Sequence, residues 1–106
     1  TINAISGYSG GGKGMIAVWD REKGEVTGRL RGHQGNIRSL VYSHDGQRLA
    51  SGGTDGVINL WDLETYRKIT SLKGHRNTVY SLAFSHDGNL LVSGSFDRRV
   101  NVWTLK

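Results

Sequence analysis

The chain has 106 residues, with 14 Lys and Arg against 9 Asp and Glu, a net charge of +5, and neither Pro nor Cys. That length allows one domain at most, and the absence of cysteine excludes both a disulfide framework and a thiolate zinc site. No run approaches the ~18 apolar residues of a membrane-spanning helix, and Thr1 opens into Ile2-Asn3-Ala4-Ile5 without the basic and apolar regions of a secretory signal. An intracellular location, cytoplasmic or nuclear, is therefore expected. The excess positive charge favours acidic partners or nucleic acid in a salt-dependent way. Its carriers (Lys13, Arg29, Arg31, Arg38, Arg48, Arg67, Lys68, Arg76, Arg98, Arg99) are dispersed as singles and pairs and form no basic arm.

In chain order, Ala4-Ile5-Ser6-Gly7 reads as a short strand. A glycine-rich turn, Gly10-Gly11-Gly12-Lys13-Gly14, separates it from a second strand, Met15 to Trp19. Further strands are expected at Val26 to Leu30, Ile37 to Tyr42, Arg48 to Gly52 and Val57 to Trp61, where apolar residues alternate in short runs without a helical period. They are broken by Gly32-His33, His44-Asp45-Gly46 and Asp55-Gly56, the last two of the Asp-Gly type that tight hairpins demand. The plan repeats at Lys68 to Leu72, Val79 to Phe84, Leu90 to Gly94 and Val100 to Trp103.

This repetition is the strongest signal in the chain. Trp19, Trp61 and Trp103 stand 42 residues apart, as do Gly32-His33 and Gly74-His75, and the Ser-His-Asp-Gly turns at Ser43 and Ser85. Residues 21–62 and 63–104 align without a gap at 16 identical positions of 42. Gly-His, Ser-x-Asp-Gly, Ser-Gly-x-x-Asp and Trp-Asp in this order resemble the WD40 repeat. The resemblance implies an all-β fold, a β-propeller segment of about two and a half four-stranded antiparallel blades. Residues 1–20 form a partial blade (strands b and c), and 21–62 and 63–106 are each one repeat. The departures are Trp103-Thr104 in place of Trp-Asp, and His44 and His86 where the family usually has proline.

The resemblance assigns His33, Ser51, Asp55 and Trp61 to a structural hydrogen-bond tetrad, with His75, Ser93, Asp97 and Trp103 as its second copy. The spacing agrees, because His to Asp is 22 and Ser to Trp is 10 in both. A hydrolytic Ser-His-Asp triad is the competing reading, but a nucleophile site is not usually duplicated in register and no strained Gly-x-Ser-x-Gly elbow accompanies it. His33 with His44, or His75 with His86, makes a poor metal site, since an intervening strand separates each pair. The glycine-rich turn lacks phosphate-loop spacing and precedes a strand rather than a helix. It is also three residues longer, from Ser6 to Trp19, than its two counterparts. No catalytic residue, metal or cofactor is expected.

In similar repeats, three positions per blade face the entrance of the central channel. Carried over, they are Asn36, Arg38 and Thr54, then Thr78, Tyr80 and Phe96, and Arg38, Tyr80 and Phe96 have the chemistry of interface anchors. The expected function is a non-catalytic protein-interaction scaffold that helps assemble multiprotein complexes. Two alternatives are a regulatory propeller of a larger signalling enzyme and a nucleic-acid-associated basic propeller. The three sites Trp-Asp-Arg-Glu, Trp-Asp-Leu-Glu and Trp-Thr-Leu-Lys do not carry the Trp-Asp-x-Arg of ubiquitin-ligase adaptors. Read by strands, the chain runs b, c, then d, a, b, c twice, leaving blade faces unpaired at both ends. The expected partners are peptides or proteins, together with the remaining blades of a longer propeller or, as second choice, of further copies.

Overall fold

The computed structural model describes residues 4–10, 13–20, 25–33 and 36–105. Ten strands are present among them: β1 Ala4–Gly10, β2 Lys13–Asp20, β3 Glu25–His33, β4 Ile37–Tyr42, β5 Arg48–Gly53, β6 Val57–Asp62, β7 Arg67–Lys73, β8 Val79–Phe84, β9 Leu90–Ser95 and β10 Val100–Thr104. They form three antiparallel sheets, ordered β1-β2-β3, β4-β5-β6-β7 and β8-β9-β10. Sheet and sequence repeat are out of phase by one strand, since β3 and β7 each close the sheet that precedes their own unit's remaining strands. No helix among the described residues is long and apolar enough to cross a membrane.

Two expected breaks are absorbed into strands. β3 continues through Gly32-His33, because the extended β2 offers Gly14 as partner to His33 across a register shift beside Met15. The longer first hairpin works the same way: its extra residues lengthen both strands until Gly10 pairs with Lys13. Of the glycine-rich stretch Gly10 to Gly14, residues 11–12 lie outside the described residues.

The turns between β4 and β5 and between β8 and β9 are copies. Asp45 accepts from the Ser43 hydroxyl and the Gln47 N–H, and Asp87 accepts from Ser85 and Asn89 in the same way. Gly46 and Gly88 follow at φ 73 and 77, a left-handed geometry that only glycine adopts without strain. Gly56, at φ 76 in the β5–β6 turn, is more constrained, because a Cβ there would lie 2.7 Å from the His75 carbonyl oxygen of the next loop. Gly46 has open space around it. Gly46→Ala should therefore cost only the left-handed penalty, about 1–2 kcal/mol. Gly56→Ala adds overpacking, for a total of roughly 2–5 kcal/mol. Urea unfolding of the two variants checks the ranking.

Side chains alternate across each sheet, and the seams between sheets make the core. Ile16, Val18 and Leu30 of the first sheet pack against Leu49, Trp61 and Leu63, with Leu40 and Tyr66 beside them. The opposite face of the middle sheet, with Ala50, Ile58 and Leu60, packs against Val79, Leu91, Leu82, Phe84 and Trp103. Ser39 donates to the Val79 carbonyl at 3.2 Å across this second seam.

The third sheet repeats the pattern with one difference. Val100 and Val102 stand 42 residues after Ile58 and Leu60, which in turn follow Ile16 and Val18 by 42. The first two pairs are at most 3% exposed, whereas Val100 and Val102 are 71% and 63% exposed. Leu90 and Val92 on the same face are also open. Among the described residues nothing packs against this face.

Candidate interaction surface

The turns between β5 and β6 and between β9 and β10 lie at the same end of the sheets as the loops preceding β4 and β8. At this end of the third sheet a four-residue hydrogen-bond chain ties loop to strands. The Trp103 indole donates to Ser93 Oγ at 2.9 Å, Ser93 lies 2.7 Å from His75 Nε2, and His75 Nδ1 lies 2.9 Å from Asp97 Oδ2. An indole N–H can only donate and a carboxylate only accept, so the protons run one way. Ser93 donates to Nε2, and the Nδ1–H donates to Asp97. Every polar group in the chain is used.

Asp97 also accepts from the Arg76 and Arg99 backbone N–H groups, at 3.0 and 2.9 Å. Burial works against its charged form, but those N–H groups and the His75 ring outweigh it and lower the carboxyl from 3.8 to about 2. A depressed folded-state value means that the stability Asp97 contributes is complete above about pH 4 and is lost as pH falls towards 2. Asp45 and Asp87 are lowered too, chiefly by the Ser43 and Ser85 hydroxyls. In thermal unfolding from pH 5 to pH 2, an Asp97→Asn variant should start lower and fall less steeply than the unmodified chain.

In the middle sheet the Trp61 indole donates to Ser51 at 2.9 Å, and Asp55 accepts from the Val57 N–H at 3.1 Å. The His33 side chain lies outside the described residues. As a hydrolytic site the third-sheet chain fails on access, because Ser93 is fully buried and its hydroxyl already bridges Trp103 and His75. Among the described residues no group of three His, Cys, Asp or Glu converges on a metal position.

The six channel-mouth candidates divide in two. Asn36 and Thr54 are engaged with each other, the Asn36 N–H donating to Thr54 Oγ1 and the Thr54 N–H to the Asn36 carbonyl, both at 2.9 Å. Thr78 accepts from the Phe96 N–H at 3.1 Å, so its backbone closes the corresponding loop of the next sheet. Arg38, Tyr80 and Phe96 project outward. Tyr80 and Phe96 are 49% and 65% exposed, and their rings pair at 4.9 Å between centroids with a tilt of 32°. Arg38 lines a shallow open cavity of about 140 Å³ with Ile37, Ser39 and Leu40.

Two further constellations are not apparent from the order of residues. Asp97 holds the backbone N–H groups of Arg76 and Arg99 within 3.0 Å of one carboxylate, with Arg98 between Asp97 and Arg99, so the backbones of three exposed arginines share this corner. At the opposite end the His44 and His86 rings meet across the second seam, 4.6 Å between centroids and tilted by 49°. Both groupings follow from the 42-residue register once adjacent sheets are set side by side.

The family model for the WD domain, G-beta repeat, matches residues 24–62 and 66–104. No curated protein matches the chain. Two registered matches over most of the chain, on three antiparallel sheets with the expected strand order, establish that the chain belongs to the WD40-repeat family.

Proposed function

We propose that the chain is part of a protein-interaction scaffold, in which the sheet ends bearing Arg38, Tyr80 and Phe96 hold a peptide or protein segment and so help assemble a complex. The observation that carries this reading is the Tyr80–Phe96 pair: two large rings on neighbouring strand and turn, both about half exposed or more and stacked on each other. Aromatic side chains supply wide contact area for little lost entropy, and leaving two of them in water without a partner is costly. Asn36, Thr54 and Thr78 form the rim of the same surface. His33, Ser51, Asp55 and Trp61, and likewise His75, Ser93, Asp97 and Trp103, have the structural task of holding the rim loops to the sheets.

The other partner in this reading is a further blade, supplied by a longer chain or another copy, against the open face of the third sheet. Its support is the exposure of Val100 and Val102 at positions buried in both preceding sheets. The cysteine-free composition supports a reducing, intracellular setting. Affinity capture with the full-length chain, compared with an Arg38→Ala, Tyr80→Ala, Phe96→Ala variant, tests the interaction surface. Loss of the captured proteins in the variant is expected. An identical set of partners would place binding elsewhere.

A further inference from the structure

We propose that the corner formed by Arg76, Arg98 and Arg99 beside Tyr80 and Phe96 is a docking site for an acidic peptide carrying one aromatic or large apolar side chain. The inference deepens the scaffold reading, on which it rests, by naming the chemistry of the partner.

The repeat provides an internal reference for what the fold itself requires. Where the third copy has Arg76, Arg98 and Arg99, the second has Gln34, Gly56 and Val57, and where the third has Phe96 the second has Thr54. Each of the four differences replaces a small or neutral residue with a large cation or a ring, and all four fall on one corner. Arg98 stands out among them. Its φ is 70, at a position where the second copy uses Gly56 at φ 76, so a side chain is carried in a backbone geometry that glycine would hold without strain.

The surrounding charges point the same way. Among the described residues no hydrogen bond or ion pair engages the guanidinium groups of Arg76, Arg98 and Arg99. Asp97, the carboxylate closest to them along the chain, has both oxygens occupied by His75 and the backbone N–H groups of Arg76 and Arg99. Exposed Arg38 and Lys73 lie at the same end, while Asp45, Asp62, Glu64 and Asp87 lie at the opposite end, in or beside the β4–β5, β6–β7 and β8–β9 turns. Arg48, Arg67 and Lys68 share that opposite end and offset its carboxylates, whereas at the corner's end Arg38, Lys73, Arg76, Arg98 and Arg99 face only Asp55 and Asp97 among the described residues. Positive charge is therefore in excess around the corner, and unpaired guanidinium groups with their planar forks suit carboxylates. The paired rings of Tyr80 and Phe96 supply the apolar anchor. The patch spans one loop and one turn, which fits a short peptide better than a nucleic-acid strand that must be tracked over several phosphates.

The test is fluorescence anisotropy with the full chain and a labelled short peptide of Asp and Glu residues around one Phe. Its controls are the same peptide with Ala for Phe, a Lys-for-acid counterpart, and a labelled oligothymidylate. The key variant, Arg76→Gln, Arg98→Gly, Arg99→Val, installs the residues that already fold in the second copy. Binding of the acidic peptide is expected to weaken at least tenfold in this variant and with rising salt. About tenfold weakening is expected in Phe96→Thr, or when the peptide's Phe is removed. Equal affinity of the variant and the unmodified chain, no binding of the acidic peptide, or tighter binding of oligothymidylate would each overturn the proposal. Capture of the same cellular partners by this variant, with their loss in the Arg38, Tyr80 and Phe96 alanine variant, would reject acidic-peptide docking yet leave the scaffold reading standing. Capture unchanged in both would reject both.

Discussion

Replacing Ser93 with alanine is expected to lower the unfolding free energy by about 2–4 kcal/mol, because one hydroxyl satisfies two buried partners. The Trp103 indole N–H donates to it at 2.9 Å, and His75 Nε2 lies 2.7 Å away. Removing the hydroxyl strands both groups where water does not reach, since Ser93 is fully buried and His75 nearly so. The cost is the full desolvation of two orphaned groups rather than the modest net value of an ordinary hydrogen bond. Chemical denaturation measures it. A second readout separates the network from simple packing: in a double-mutant cycle, Ser93→Ala and His75→Ala should be strongly non-additive, because each breaks the same chain. Losses that simply add would mean that the four residues act independently.

The second large effect concerns the open face of the third sheet. Ile58→Lys should unfold the chain, since its position is fully buried between two sheets and has no carboxylate to pair with. At the register-equivalent Val100, and at Val102, lysine meets water. The double variant Val100→Lys, Val102→Lys should therefore fold as well as the unmodified chain while losing its tendency to associate, because two apolar side chains worth ~1.5–3 kcal/mol each on burial no longer seek a partner. Circular dichroism and denaturation of the two variants provide the comparison. Similar losses from Ile58→Lys and from the valine pair would mean that the third sheet is covered in the same way as the second.

These contrasts show what can be read from residue order and what cannot. The bounds expected for β4 and β8, Ile37 to Tyr42 and Val79 to Phe84, are those observed, because each short apolar run ends at a Ser-His-Asp-Gly turn whose geometry is local. Gly32-His33 reads as a break yet continues β3, since its fate depends on whether β2 extends far enough to pair with it. In the second copy the counterpart strand, β7, ends at Lys73 before Gly74-His75. The candidate surface could be named residue by residue from the sequence, but the contacts within it could not. Tyr80 and Phe96 can be placed at the channel mouth by resemblance, but their ring contact depends on the bulge in β8 opposite Ser95. The arginines look dispersed because residues 76 and 98 are 22 apart, the same interval that brings His75 to Asp97. His44 and His86 meet only because adjacent sheets pack in register.

The apolar face that Val100 and Val102 expose on the third sheet should drive the chain to associate. In sedimentation velocity over a wide concentration range, the 106-residue chain is expected to form species larger than the monomer that grow with concentration and are lost in the Val100→Lys, Val102→Lys variant. A compact, reversible monomer at every concentration would mean that this face is not an unfilled seam between blades.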